Sequence, residues 1–368
     1  MTNYEYLTGG NVTSSPPLNH TESAMEAPPT ALVEWQMWYQ PIHGYAAPIV
    51  CIFGVVANIL NIVVLTRKNM LSPTNVILTG LAISDGLTMA AYFPYAIMMY
   101  HVYQTSPAPL SFARFVLFYA IFSVIVHSIS IWLTVSLALF RYIFIQCPRQ
   151  GTKLCSIDRA KITVVIVSIV TSIVCIPNAV TYGLYQTKYS GTNQTSWHLD
   201  VKQNTETEVI LKKFNFWIQA ILVKLVPCFL LTILSILLVK TMKDAERRRK
   251  KLISKPMKGS DDPRRPSKTN RTTRMLLAVV ILFLVTEIPQ GILNLLSGIV
   301  DGYFHRVYQP LGDLMDILAL INNGINFILY CTMSKQFRDT FIKIFLKDIV
   351  MDKRGNYMST QATRDTDL

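Results

Sequence analysis

The chain has 368 residues, of which 51% are hydrophobic and only 15% are charged, and its formal net charge is +13. A soluble domain carries about 25% charge, so the composition argues against a single soluble globular fold. The positive excess does not point to nucleic acid, because it is confined to segments between long, nearly uncharged runs.

In chain order, residues 1–42 are polar, acidic and rich in Pro, Ser and Thr, and they read as a disordered extracellular tail. Met1 to Pro41 hold no Lys or Arg and no apolar core, so no cleavable signal peptide is expected there. Seven runs follow, 45–66, 74–99, 112–140, 161–182, 214–239, 272–299 and 311–333. Each reaches the roughly 20 apolar residues that a helix needs to cross hydrocarbon. Lipid offers no partner for backbone N–H and C=O groups, so these runs are expected to be helices and not open strands. The predicted fold is an all-α, seven-transmembrane bundle over 43–334. Residues 183–213 form the longest outer loop, and 243–268 form a loop dense in Lys, Arg and Pro. The run Glu246-Arg-Arg-Arg-Lys-Lys251 extends the fifth helix into the cytosol. It serves inner topology and attraction to anionic membrane lipid, or binds an effector directly. Beyond the seventh span, Phe337, Phe341, Ile344 and Phe345 recur at helical spacing among Lys335, Arg338, Lys343 and Lys347. That pattern predicts an amphipathic surface helix over 335–349. The cytoplasmic tail 350–368 ends in Thr366-Asp-Leu368, which suits a PDZ groove.

With the N-terminus outside, 28 of the 35 basic residues fall on inner segments and six on outer ones. This is the bias of a multi-pass chain with its C-terminus in the cytoplasm, here expected at the plasma membrane. The acceptor sequons at Asn11, Asn19 and Asn193 all fall on outer segments, whereas the one at Asn270 lies inside.

Ionisable and polar groups within a bilayer are costly and mark functional positions. They are Asp85 in span two, His127 and Ser130 in span three, Lys224 in span five and Glu287 in span six. Asp313 and Asp316 begin span seven, with Asn322, Asn323 and Asn326 deeper. Lys224 and Glu287 sit at comparable levels, so a buried ion pair is expected, the alternative being a protonated Glu287 and a snorkelling Lys224. Pro177, Pro227 and Pro289 interrupt the backbone bonding of spans four, five and six. No phosphate-binding loop, nucleophile elbow or metal-ligand spacing occurs, and nothing supports an enzyme.

Several motifs in register resemble the rhodopsin-like (class A) G-protein-coupled receptors over about 45–345. They are Gly54-Val-Val-Ala-Asn58, Leu81-Ala-Ile-Ser-Asp85, Phe140-Arg-Tyr142 with Pro148, Pro227, Phe283 with Pro289, and Asn326-Phe-Ile-Leu-Tyr330 followed by Phe337-Arg338. Longer stretches are similar to invertebrate myosuppressin and FMRFamide-like peptide receptors: 72–81, 127–134, 286–291 and 326–338.

The resemblance implies a receptor for an extracellular amidated neuropeptide ending in Arg-Phe-amide, acting through inhibitory (Gi/o) G proteins and arrestin. It also implies activation through Arg141, Tyr142, Pro148, Tyr330, Pro289 and Phe283, and an allosteric sodium ion among Asp85, Ser130, Asn322 and Asn326. For the ligand, Asp313 and Asp316 share a helix face near the outside and suit the peptide's Arg; alternatively they only complement the dipole at the start of helix seven. Glu287 lies deeper, and Tyr95, Met98, Met99 and His127 line the apolar part. Four departures stand out. Phe140 replaces the acid before Arg141, Glu287 replaces a Trp, and Phe327 replaces a Pro. The usual outer Cys pair is absent: 111–115 read Ser-Phe-Ala-Arg-Phe, loop 183–213 has no Cys, and no extracellular disulfide is expected. A receptor for another peptide or small ligand remains an alternative. A transporter is another, although no internal repeat is visible.

Overall fold

The computed structural model describes residues 29–104, 106–147, 151, 153–188, 194–253 and 268–345. Asn11, Asn19, Asn193, Pro148 and Thr366-Asp-Leu368 lie outside the described residues.

Local sequence sets where the helices begin and break. Helix α1 runs Thr30–Leu65. Helix α2 covers Pro73–Ile97: Pro73 at its first position has no N–H to satisfy, and the Ser72 hydroxyl accepts from the Asn75 N–H at 3.2 Å. It passes into a π-helical stretch, Met98–Val102. Helix α3 is Leu110–Gln146. Helix α4, capped by Ser156, runs Ile157–Val174 and resumes as Ile176–Thr181 around Pro177. Helix α5, capped by Thr205, runs Glu206–Ile218, becomes π-helical over Gln219–Leu225 and continues as Val226–Ile253. Pro227 sits just past that stretch, where its missing N–H leaves the α-helical ladder open. Helices α6 (Lys268–Ile299), α7 (Gly312–Met333) and α8 (Lys335–Phe345) complete the chain.

Among the described residues, seven helices are long and apolar enough to cross a membrane. They pack as neighbours, α1 on α2 and α7, α2 on α3 and α4, α3 on α4 and α5, and α6 on α5 and α7. Their outward faces carry large apolar side chains, as on α4 with Ile162, Val165, Ile166, Ile169 and Ile173, each more than half exposed. Such a continuous apolar face is stable against lipid and not against water. The all-α membrane bundle expected from the seven apolar runs is therefore the observed fold.

One expectation needs correction. Residues 30–42 are the first turns of α1, not part of a disordered tail; Gln40 is buried within them, and His43, Gly44 and Ala47 continue the buried face. Within the predicted outer loop 183–213, the described residues form regular elements. Strands β1 (Tyr182–Lys188) and β2 (Thr195–Val201) pair antiparallel, and α5 starts at Glu206. The hairpin is tied to the start of α3 without covalent help. Trp197 N–H donates to the Ala108 carbonyl at 2.9 Å, and Ala108 N–H donates to Ser196 Oγ at 3.0 Å. Leu199 is inserted into the outer core. All six cysteines are free thiols, and none lies on the hairpin.

Helix α8 lies where its amphipathic pattern predicts. Phe337 is 1% exposed and packs on Phe327 and Tyr330, at ring separations of 6.0 and 5.6 Å. The Pro-to-Phe departure at position 327 thus supplies a wall for this helix. The Asn69 side chain donates to Thr340 Oγ1 at 2.8 Å and ties α8 to the loop after α1.

Candidate functional site

A cavity of about 180 Å³ opens among the outer ends of α2, α3, α5, α6 and α7, with Tyr182 of the hairpin on its wall. One water needs about 10–15 Å³ by the same measure, so this space suits a few side chains and not a single ion.

Its α7 wall is acidic. Asp313 and Asp316 both line the cavity, one turn apart. Asp313 Oδ1 accepts from Tyr100 Oη at 2.6 Å, while its Oδ2 is buried without a partner. Asp316 Oδ2 accepts from Tyr92 Oη at 3.2 Å. Among the described residues, neither carboxylate has a basic side chain within ion-pair distance. The tyrosines belong to one aromatic block, with Tyr95 and Tyr119 stacked at 4.4 Å and Tyr92 edge-on to both. His43 of α1 completes it. Its Nε2 is 2.7 Å from Tyr92 Oη, and its ring lies edge-on to Tyr100 at 5.2 Å. One α1 side chain therefore touches both tyrosines that hold the acidic pair.

Met99 belongs elsewhere. It packs into the outer core and does not line the cavity. The cause is the π-helical end of α2, whose wider turn aligns position i with i+5. Tyr100, not Met99, therefore follows Tyr95 on the inner face.

Deeper, α3, α5 and α6 meet at three charged or ionisable groups. Lys224 Nζ donates to Glu287 Oε2 at 2.5 Å. His127 Nε2 lies 3.3 Å from Glu287 Oε1, within ion-pair reach but off the line of a hydrogen bond. Lys224 and His127 line the cavity floor, and Glu287 is enclosed behind them at 1% exposure. Glu287 is thus engaged by basic side chains, whereas the two aspartates above it meet tyrosine hydroxyls among the described residues. The π-helical stretch of α5 brings Lys224 here, five residues after Gln219, and both side chains line the cavity.

On the outer wall, Tyr182 and Tyr308 are kept protonated. Burial first and then the Asp200 carboxylate push the Tyr182 hydroxyl up to about 12. Burial likewise raises Tyr308, against the hydrogen bond that Gln290 donates to it at 3.2 Å. Both are neutral polar contacts at physiological pH.

Toward the cytoplasm, Asp85 accepts from Ser130 Oγ at 2.5 Å and from Asn326 Nδ2 at 3.0 Å. Asn58 Nδ2 bonds the Gly54 and Asn323 carbonyls at 3.0 and 3.1 Å. Asn322, expected beside Asp85, makes no hydrogen bond to it; Asn323 takes the buried face of α7 and lines the cavity floor. Both Asp85 oxygens already receive protons from neutral donors. The residues present fit a closed hydrogen-bond network better than a cage of oxygens converging on a sodium ion.

Arg141 has no carboxylate within ion-pair distance among the described residues and lies within electrostatic reach of the Tyr330 hydroxyl. Phe140 is buried in the inner core, and its carbonyl accepts from the Cys155 thiol at 3.6 Å. Tyr142 is half-buried beside Arg141 at the inner end of α3. Phe283 is buried between α3 and α5, six residues before Pro289 of α6.

His43, Tyr92, Tyr100, Tyr119, Asn178, Asn215 and Gln219 were not singled out by sequence. Most are uncharged residues in apolar runs, and His43 precedes the first run altogether.

A family profile described as "Serpentine type 7TM GPCR chemoreceptor Srw" matches residues 45–348. The chain is 29% identical over 357 residues to the "G-protein coupled receptor dmsr-1" of Caenorhabditis elegans, covering 84% of this chain and 69% of that protein. It is 30% identical over 326 residues to the "Sex peptide receptor" of Drosophila melanogaster, covering 85% and 74%. It is 24% identical over 321 residues to the "FMRFamide receptor" of the same organism, covering 83% and 54%. Proteins of this kind are signalling receptors and not enzymes. With its seven spans, its motifs in register and a profile match over most of its length, the chain belongs to the serpentine seven-transmembrane G-protein-coupled receptor family.

Proposed function

We propose that this receptor binds an extracellular amidated neuropeptide of the RFamide or myosuppressin type and signals through inhibitory G proteins. It would sit in the plasma membrane with its N-terminus outside. One observation carries the ligand reading: two aspartates line the cavity with tyrosine hydroxyl donors and, among the described residues, no basic side chain within ion-pair distance. A guanidinium offers five N–H donors in a planar fork, which suits adjacent carboxylates. The neighbouring aromatic block suits a Phe ring. The names of two relatives, the Sex peptide receptor and the FMRFamide receptor, agree with a peptide ligand.

Binding would act through the cavity floor. A ligand that prefers one arrangement of α5, α6 and α7 shifts the population toward it. The Lys224–Glu287 pair fastens α5 to α6 just before Pro289 and so resists their separation. Outward movement of α6 would then open the inner cavity beside Arg141, Tyr142 and Tyr330 to the G protein. Arrestin would follow at the same face. The Thr366-Asp-Leu368 end would recruit a PDZ protein.

The test is cyclic AMP inhibition in cells expressing the receptor, with Phe-Met-Arg-Phe-amide and its Arg-to-citrulline analogue. Loss of a charge-assisted hydrogen bond costs about 1.5–3 kcal/mol, so citrulline is expected to lower potency about tenfold or more. Asp316→Asn and Asp313→Asn should weaken the Arg peptide and leave the citrulline peptide nearly unchanged. Equal potency of the two peptides on the unmodified receptor would refute the assignment.

A further inference from the structure

The wall opposite the acidic pair carries a second kind of recognition chemistry. Asn178 of α4 donates through Nδ2 to the Ala120 carbonyl of α3 at 3.5 Å. That bond turns its Oδ1 toward α5, where Asn215 Nδ2 donates to it at 3.3 Å. Each amide in this series is oriented by the one before it, so the last orientation is determined: Asn215 has its nitrogen bound and its Oδ1 without a partner. One helical turn later, Gln219 Nε2 is also buried, with no partner stronger than the nearby Cys175 thiol. The turn is closed by the Gln219 N–H donating to the Asn215 carbonyl, which puts both side chains on one face of α5. Both side chains line the cavity, at 1% and 8% exposure. A buried acceptor and a buried donor left unmade are costly. Two of them, adjacent and on a cavity wall, mark a place where a ligand supplies the missing partners.

The two unmet groups define that partner. Asn215 Oδ1 asks for an N–H, and Gln219 Nε2 asks for a carbonyl oxygen. A primary carboxamide, –CO–NH2, offers both from one planar group. A carboxylate offers only acceptors, so it would satisfy Gln219 and set a negative oxygen against Asn215 Oδ1. An ester or an aldehyde also lacks the N–H.

We propose that Asn215 and Gln219 form a carboxamide subsite that reads the amidated C-terminus of the peptide and rejects the free acid. The proposal rests on the peptide reading above and adds the feature that separates processed from unprocessed ligand. In bound form, the ligand N–H donates to Asn215 Oδ1, and Gln219 Nε2–H donates to the ligand carbonyl. The peptide then spans the cavity, with its amide on α5 and its cationic side chain on α7.

The experiment compares Phe-Met-Arg-Phe-amide with the same tetrapeptide as the free acid on the full-length receptor in cells, reading cyclic AMP, with surface expression measured for each variant. The unmodified receptor is expected to favour the amide by about tenfold or more, the scale set by an unpaired buried acceptor. Gln219→Leu and Asn215→Leu should each compress the amide-to-acid ratio toward one, through lost amide potency. Gln219→Lys should raise the potency of the acid, because an ammonium now meets its carboxylate. The ratio is internal to each variant, so reduced surface expression does not mimic the effect.

Equal potencies of amide and acid on the unmodified receptor overturn the subsite. So does a loss in the leucine variants that falls equally on both forms, since that marks a structural role only. Citrulline tolerance with a preserved amide-to-acid ratio would overturn the α7 cation reading and support the subsite. A receptor that answers neither form overturns both.

Discussion

The Lys224–Glu287 pair makes the sharpest prediction. Both partners are nearly enclosed, at 4% and 1% exposure, and they join the π-helical stretch of α5 to α6 two residues before Pro289. Lys224→Met leaves Glu287 with only His127, 3.3 Å from its other oxygen. Glu287→Gln leaves Lys224 with no carboxylate in ion-pair distance among the described residues. Isolating one charge of a buried pair costs about 3–5 kcal/mol, whereas removing both charges often costs far less. If the pair holds the resting arrangement, losing about 3 kcal/mol of it shifts the resting-to-active equilibrium by about two decades. Basal nucleotide exchange by the reconstituted receptor on purified G protein reads that shift, and the thermal denaturation midpoint of the same preparation reads stability. Both single variants are expected to show raised basal exchange and a lowered midpoint. The Lys224→Met/Glu287→Gln double should fall closer to the unmodified receptor than either single. Additive effects in the double, on both readouts, would refute the coupling.

Other outcomes follow from the same geometry. His43→Phe deprives Tyr92 of its ring-nitrogen partner, worth about 1 kcal/mol. Potency of the Arg peptide should fall about fivefold, and the fall should vanish in an Asp316→Asn background; persistence there would remove His43 from the acidic site. Replacing sodium by choline at constant ionic strength should leave peptide Kd unchanged, since both oxygens of Asp85 are occupied by Ser130 and Asn326. A sodium effect abolished by Asp85→Asn would contradict that network. Dithiothreitol should not alter peptide binding, because all six thiols are free and the hairpin is held at Ala108 by hydrogen bonds. A native disulfide in a non-reducing mass map would overturn this.

The amino-acid sequence by itself determined the architecture. A bilayer leaves few solutions for an apolar run of about 20 residues, so seven such runs imply seven helices before any contact is known. It also marked Asp85, Lys224, Glu287, Asp313 and Asp316, because a charge is conspicuous where charge is expensive. Tertiary structure decided which of these charges were paired. Lys224 and Glu287 consume one another, while among the described residues Asp313 and Asp316 find hydroxyl donors and no base. No spacing along the chain distinguishes those cases, since the partners come from different helices. The same holds for His43, which precedes the first apolar run yet contacts α2 across 49 positions. The π-helical turns at Met98–Val102 and Gln219–Leu225 were equally hidden. They change which side chain faces inward by one position, exchanging Met99 for Tyr100 and aligning Gln219 with Lys224. Helical periodicity read at 3.6 residues per turn cannot register such a slip, because it arises from packing and not from local preference.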